Sequence, residues 1–183
     1  MGQGVGDTVP QDWSRDGKRI LYADRTELWY LTLPGLERKP FLQTQFVLTN
    51  GQFSPDGHWV AYASNETGKW EVYVTSFPEP REKWQISAGG GQEPRWRGDG
   101  KELFYLSPDG TMMAVPVNSG NSFAAGKPTP LFQAHPHQQV SAVDLFHYDV
   151  SSDGRRFLIN TQPAATEAAP ISVMLNWTAQ LNR

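Results

Sequence analysis

The chain has 183 residues, 38% of them hydrophobic and 19% charged, and a net charge of −3 at pH 7. This composition can bury a core in one domain or two, and an acidic chain without a basic block argues against nucleic acid as a partner. The sequence contains no cysteine, which excludes disulfides and cysteine-based metal or redox chemistry.

No signal peptide is visible at the start of the sequence. The first residues lack the apolar region of a signal peptide, and no apolar run approaches the ~20 residues that a membrane span needs. We therefore expect no membrane span in this chain. The sequence does not determine the cellular compartment. A periplasmic or other extracytoplasmic location is one alternative, if the chain is a fragment of a membrane-anchored protein.

A short turn motif recurs four times. Its clearest copy is Phe53-Ser54-Pro55-Asp56-Gly57, and the Asp-Gly pairs of the four copies are separated by 40, 43 and 54 residues. A fifth pair, Asp109-Gly110, follows the third copy within the same unit, where we expect a hairpin turn. A period of roughly 40–45 residues built from short strands is typical of propeller blades. Pro55 presets φ for a turn, and Gly57 accepts the positive φ that this position often needs. A metal or catalytic role for the repeated aspartates is the alternative, but they would lie on different blades, so we expect a structural turn.

Strand patterns flank each turn in chain order. The first unit has an inner strand ending at Trp13, strands at 18–24 and 27–33, and a less regular outer strand from Pro40. Later units have strands at 50–53, 58–64, 70–77 and 83–87; at 93–96, 101–106, 111–117 and about 129–133; and at about 143–150, 155–161 and 171–177. Residues 118–142 are predicted to be the longest irregular stretch, and we expect no helix longer than a turn or two.

These patterns predict an all-β chain with the architecture of a partial β-propeller. It has about four antiparallel four-stranded blades, and the last blade lacks one strand. We place all 183 residues in a single propeller domain or fragment, with blades at about 9–48, 49–88, 89–142 and 143–178.

The repeat resembles a known family. The segment 9–22 and its three echoes are similar to the WD40-like (PD40) repeat of the TolB-type β-propellers, in which Pro-x-Trp-Ser-Pro-Asp-Gly precedes an aliphatic-Tyr pair. Segments 65–74, 83–87, 93–97 and 171–178 resemble the C-terminal propeller region of bacterial multidomain proteins, many of which carry a serine/threonine kinase domain. None of the kinase motifs is present in this sequence, so the resemblance implies no kinase activity here.

The resemblance also implies where a ligand would bind. Propellers of this family close with six to eight blades, so four blades imply self-association or pairing with blades outside this chain. The innermost strands line the central channel in such propellers. Six polar residues from those strands are therefore candidate ligand-binding residues: Asp12, Gln52, Glu93, Arg95, His147 and Tyr148. The alternative is a channel that holds only solvent.

Other motifs favour structural interpretations. Gly89-Gly90-Gly91 precedes a strand instead of the helix that a phosphate loop requires, so we expect a flexible link between blades. His135-Pro136-His137 lacks a third ligand nearby, which favours a surface loop over a metal site. No Gly-x-Ser-x-Gly elbow is present, which argues against hydrolase chemistry. We expect no cofactor, no bound metal and no catalytic residue.

The sequence favours a non-catalytic scaffold or sensor module, part of a larger bacterial protein, that binds a protein, a peptide or a small ligand. The alternative is an accessory propeller that gates substrate for a serine peptidase or another hydrolase domain outside this chain. A third hypothesis, a sugar or other small molecule bound in the channel, also stays open.

Overall fold

A computed structural model of the chain describes residues 8–120, 122–136 and 146–161. These residues form 15 strands in four antiparallel sheets and no helix. The first sheet contains β1 (Val9–Trp13), β2 (Arg19–Asp24), β3 (Glu27–Thr32) and β4 (Glu37–Gln43). The second contains β5 (Leu48–Phe53), β6 (Trp59–Ser64), β7 (Glu71–Ser76) and β8 (Lys83–Gln85).

The third sheet has one strand more than the expected four, and the described part of the fourth sheet contains two strands. The third contains β9 (Gln92–Trp96), β10 (Glu102–Leu106), β11 (Thr111–Ser119), β12 (Phe123–Ala125) and β13 (Thr129–Gln133). The fourth contains β14 (Tyr148–Val150) and β15 (Phe157–Ile159). The prediction that 118–142 is irregular was wrong for β12, which pairs with the end of β11, and the third sheet has five strands. The predicted strand at 171–177 lies outside the described residues.

We call the four sheets blades 1 to 4, and three hydrophobic cores lie between consecutive blades. The core between blades 1 and 2 joins Leu21 and Leu28 to Phe53 and Tyr62. The core between blades 2 and 3 is built around aromatic rings, with Trp59 packed on Trp84 and Phe123 at 5.4 and 5.3 Å. In the third core, Phe104 of β10 meets Phe157 of β15 edge to face at 5.1 Å. Because both faces of blades 2 and 3 are covered, their second strands, β6 and β10, are almost entirely buried and mainly apolar.

The recurring turn is structural in every blade. The turn serine donates its hydroxyl to the Oδ1 of the aspartate two residues later, at 2.7 Å for Ser14 and Asp16, and the same Oδ1 accepts the amide of Lys18 at 3.0 Å. Blades 2 and 4 repeat these bonds. The four glycines after these aspartates have φ of 71 or 72°. Through these hydrogen bonds the exposed carboxylates stabilise the turn, so their role is structural, as the sequence predicts.

Each of the first three inner strands is interrupted at the same place. The register shifts between Pro10 and Asp12 in blade 1, and the same irregularity recurs in blades 2 and 3. Two residues at these bulges have a positive φ, Asn50 with 54° and Glu93 with 57°. A bulge changes the direction in which the side chains around it point. The bulges in these strands therefore determine which inner-strand residues reach the neighbouring blade.

Candidate functional site

A row of four polar residues, one from each blade, lies at the Asp-Gly end of the inner strands. Each stands four positions before the turn aspartate of its own blade: Asp12, Gln52, Arg95 and Asp149. All four line a cavity of about 180 Å³, together with the aromatic residues that follow three of them. The repeat therefore delivers one polar side chain per blade to a single site.

Arg95 is the central cation of this cavity. Its Nη1 donates to the Oε1 of Gln52 at 2.9 Å, and its guanidinium lies 3.7 Å over the ring of Phe146. Its Nε is 3.8 Å from Oδ1 of Asp149, whose side chain is 67% exposed. The hydrogen bond that it donates to Gln52, the stacked ring of Phe146 and the nearby carboxylate of Asp149 hold the guanidinium in one orientation.

Gln52 is fixed from the other side. Its Nε2 donates to the carbonyl oxygen of Gln11 at 3.1 Å, and its own carbonyl oxygen accepts Trp96 Nε1 at 3.3 Å. Blades 1, 2 and 3 are thereby joined through one glutamine. The wall of the cavity that Gln52 forms is consequently preorganised.

Asp12 is the partly buried carboxylate of the site. Its Oδ2 accepts the backbone amide of Phe53 from the next blade at 2.8 Å. Burial raises the pKa of Asp12, and the hydrogen bonds from the amides of Phe53 and Trp13 oppose that rise. This carboxylate links blades 1 and 2 as well as lining the cavity.

The other three predicted site residues lie elsewhere. Glu93, His147 and Tyr148 are buried between blades 3 and 4, with exposures of 1%, 7% and 3%. The Glu93 carboxylate accepts the His147 amide and contacts its Nδ1, both at 2.6 Å, and Tyr148 donates its hydroxyl to the Glu93 carbonyl oxygen at 2.8 Å. The expectation that they line an open channel needs correction, because the bulge at Glu93 turns its side chain into the neighbouring blade.

Among the cavity residues that sequence reasoning missed are Asp149, Arg15 and Trp13. Asp149 was detectable, because it has the same four-residue offset from its turn aspartate as Asp12, Gln52 and Arg95. Arg15 reaches across the turns and donates from Nη1 to the carbonyl oxygen of Gly98 at 2.8 Å. Trp13 is 60% exposed at the rim. No sequence pattern indicates the hydrogen bond of Arg15 to the neighbouring blade or the exposure of Trp13.

The Gly89-Gly90-Gly91 segment wraps a carboxylate of the chain itself. Oε1 of Glu71 accepts the amides of Gly89 and Gly90 at 3.2 and 3.0 Å, and Ser87 donates its hydroxyl to the other oxygen. Glu71 is 4% exposed. Successive amides aimed at an anion form a binding nest, and here an internal side chain occupies it.

A second cavity, of about 340 Å³, lies beside this segment. It is lined mainly by apolar groups, among them Trp70, Leu106 and Pro108, and Lys69 is its one charged residue. Few polar groups are available there to orient a ligand, which makes it the weaker candidate.

Two further features concern metal ions and membranes. Within residues 8–120, 122–136 and 146–161, no group of three or more His, Cys, Asp or Glu side chains could hold a metal ion. His135 is described, whereas His137 of the predicted loop lies outside the described residues. The same ranges contain no helix whose length and hydropathy would allow it to cross a membrane.

Solved structures share this fold. TolB from Acinetobacter baumannii is 20% identical, with a TM-score of 0.64 over 88% of this chain and 39% of that one. Oligogalacturonate lyase in complex with manganese is 15% identical, with a TM-score of 0.59 over 85% of this chain and 44% of that one. The tricorn protease is 14% identical, with a TM-score of 0.54 over 72% of this chain and 18% of that one. No family model matches the sequence, and no curated protein is significantly similar to it.

The TolB-type β-propeller fold predicted from the repeat is thereby confirmed. The chain spans about two fifths of the TolB structure. The kinase-domain association stays a prediction, and likenesses at this level of identity show the fold alone.

Proposed function

We propose that this chain, which has the β-propeller fold of TolB, is a non-catalytic binding module that takes one side chain of a protein or peptide partner into the cavity around Arg95. The observation that carries the proposal is the convergence of Asp12, Gln52, Arg95 and Asp149, one residue per blade, on a single site. The module would belong to a larger bacterial protein and serve it as a scaffold or sensor.

The size of the cavity favours a peptide over a free small molecule. At about 180 Å³ it is smaller than the ~300–1,000 Å³ typical of small-molecule sites, so it accommodates one side chain. The exposed Trp13 at its rim and the oriented guanidinium of Arg95 are the residue types enriched at the energetic centres of protein interfaces. The lining contains the carboxylates of Asp12 and Asp149 as well as the guanidinium of Arg95. A partner side chain that offers both hydrogen-bond donors and acceptors therefore suits the site.

A random peptide library displayed on phage provides the test. Panning on the immobilised chain should enrich peptides whose affinity falls at least tenfold, about 1.4 kcal/mol, in the Arg95→Gln variant. Arg81→Gln is the matched control, because Arg81 is a highly exposed arginine outside the cavity. Far-ultraviolet circular dichroism would verify that both variants stay folded. Peptides that bind the Arg95→Gln variant as tightly as the wild type would overturn the proposal.

The alternative function is an accessory propeller that gates substrate for a hydrolase domain. Its support is the shared fold with the tricorn protease. The coding sequence that flanks these 183 codons separates the two hypotheses. An adjoining peptidase or other hydrolase domain would favour gating, whereas an adjoining kinase domain would favour a sensor.

A further inference from the structure

One position of the repeat behaves differently in blade 1. The aromatic residue that ends the inner strand is 6% exposed at Phe53 in blade 2 and 8% exposed at Trp96 in blade 3. Both belong to the core shared with the preceding blade. The equivalent Trp13 of blade 1 is 60% exposed. We call the side of each blade that carries this residue its front face.

A second position behaves differently in blade 4. The residues paired with the cavity row are Leu21, Ala61 and Phe104 in blades 1 to 3, and each is at most 2% exposed. Each belongs to the core shared with the following blade. The equivalent residue of blade 4 is Leu158, paired with Asp149, and it is 78% exposed. We call this side of each blade its rear face.

The two exposed residues are therefore the two halves of one repeated interface. Inside the chain, a rear residue such as Leu21 shares a core with the front aromatic of the next blade, Phe53. Among the described residues, Trp13 has no rear residue that covers it, and Leu158 has no front aromatic residue against it. The same relation would be restored by placing Leu158 of one copy against Trp13 of another.

We propose that two copies of this chain associate head to tail, with the rear face of blade 4 on each copy docked on the front face of blade 1 of the other. Two such contacts close an eight-bladed ring with twofold symmetry. The chain spans less than half the length of the TolB and lyase structures that it resembles, so two copies supply roughly the chain of one such protein. Trp13 and Asp149 also line the cavity of the proposed peptide site, so the two proposals share these residues, but the oligomeric state tests the contact between copies separately from peptide affinity.

The front face of blade 1 has the chemistry for this role. Its half-buried Ile20 and Leu31 are cross-strand neighbours, and the guanidinium of Arg38 lies 4.1 Å over the ring of Trp29. The rear face of blade 4 offers the exposed carboxylate of Asp149 beside Leu158. An apolar centre with one exposed arginine on one side and one exposed aspartate on the other is complementary in charge.

Sedimentation velocity between about 1 and 50 μM tests the proposal, a range in which interfaces with micromolar affinity assemble. We expect a species of twice the 20.5 kDa chain mass. Trp13→Glu and Leu158→Glu should each weaken its formation at least 30-fold, the loss of about 2 kcal/mol that defines an interface hot spot. Both side chains are exposed in the monomer, so urea unfolding should show that the variants stay folded. Leu36→Glu, at an apolar residue 65% exposed in the β3–β4 turn, is the matched control.

Mixing the two variants distinguishes a head-to-tail contact from a symmetric one. The Trp13→Glu protein keeps an intact rear face, and the Leu158→Glu protein keeps an intact front face, so the mixture should recover one of the two contacts. A monomer at all concentrations, an open polymer, or a dimer indifferent to Leu158→Glu would overturn the proposal. The proposal would also be overturned if Trp13 became buried only in a longer polypeptide with further blades ahead of residue 1. The front face of blade 1 would then pack against those blades instead of against a second copy.

Discussion

The carboxylate of Glu93 and the imidazole of His147 form a buried contact at 2.6 Å between residues 54 positions apart in the chain. The second carboxylate oxygen accepts the His147 backbone amide at the same distance. Blade 4 has two strands within the described residues, so this pair is a main polar connection between it and blade 3. It is a structural joint between blades, although both residue types are common in binding sites.

Removing the Glu93 carboxylate should destabilise the chain strongly. Glu93→Ala leaves the buried His147 amide and ring without their acceptors, at a cost of about 3 kcal/mol of unfolding free energy. Glu93→Gln keeps one acceptor oxygen and should cost about half as much. Urea denaturation measures both values. Equal stability of the alanine variant and the wild type would show that the joint contributes nothing.

The turn aspartate of blade 3, Asp99, should make the stability of the chain depend on pH in the acidic range. Hydrogen bonds from Arg97 and from the Lys101 amide lower the pKa of Asp99 to about 2. Because this folded-state pKa is below the unfolded value, the unfolded chain binds more protons between about pH 4 and 2, and the stabilisation is lost as the pH falls through that window. Urea midpoints for wild type and Asp99→Asn should differ at neutral pH and converge near about pH 2. A constant difference would contradict the assignment.

The fold was predictable because its signals are local. The five-residue motif that contains Pro55, Asp56 and Gly57 encodes a turn. The spacing between successive turns predicts the blades. Phe123-Ala124-Ala125 carries no such signal, and β12 exists because the long strand β11 offers it an edge. A short strand without alternation is determined by its partner, so the sequence alone did not reveal it.

The candidate site was predictable in part. Asp12, Gln52 and Arg95 reach the cavity because a constant offset from the turn is preserved by folding. Glu93 departs from the expectation because a bulge and a φ of 57° redirect its side chain. Backbone conformations of this kind are imposed by the neighbouring blade, and strand alternation does not report them.

The glycine segment between blades 2 and 3 offers a steric test. A Cβ at Gly90 would lie 2.3 Å from Cγ of Pro108, and φ there is +115°, whereas a Cβ at Gly89 meets nothing within 4 Å at a φ of +94°. Gly89→Ala should therefore cost about 1 kcal/mol from backbone strain alone. Gly90→Ala should cost about 3 kcal/mol, because the proline ring cannot rotate away.

The control for this pair is Gly35→Ala, where φ is ordinary and a Cβ meets nothing within 4 Å. It should change the unfolding free energy by less than about 0.5 kcal/mol. Thermal or urea unfolding ranks the three variants. If the Gly89 and Gly90 variants were equally stable, Pro108 would not pack against the segment as described.

Buried tyrosines should limit stability at high pH. Burial raises the pKa of Tyr73 and of Tyr105 to about 12, and it raises the pKa of Tyr62 and Tyr148 as well. Because the folded values are above the ordinary 10, the stabilisation is complete below about pH 10 and is lost as the pH rises towards 12. Tyrosinate absorbance should therefore rise together with unfolding. Tyr105→Phe should flatten the fall in urea midpoint between about pH 10 and 12, and an unchanged slope would show that Tyr105 ionises without opening the core between blades 2 and 3.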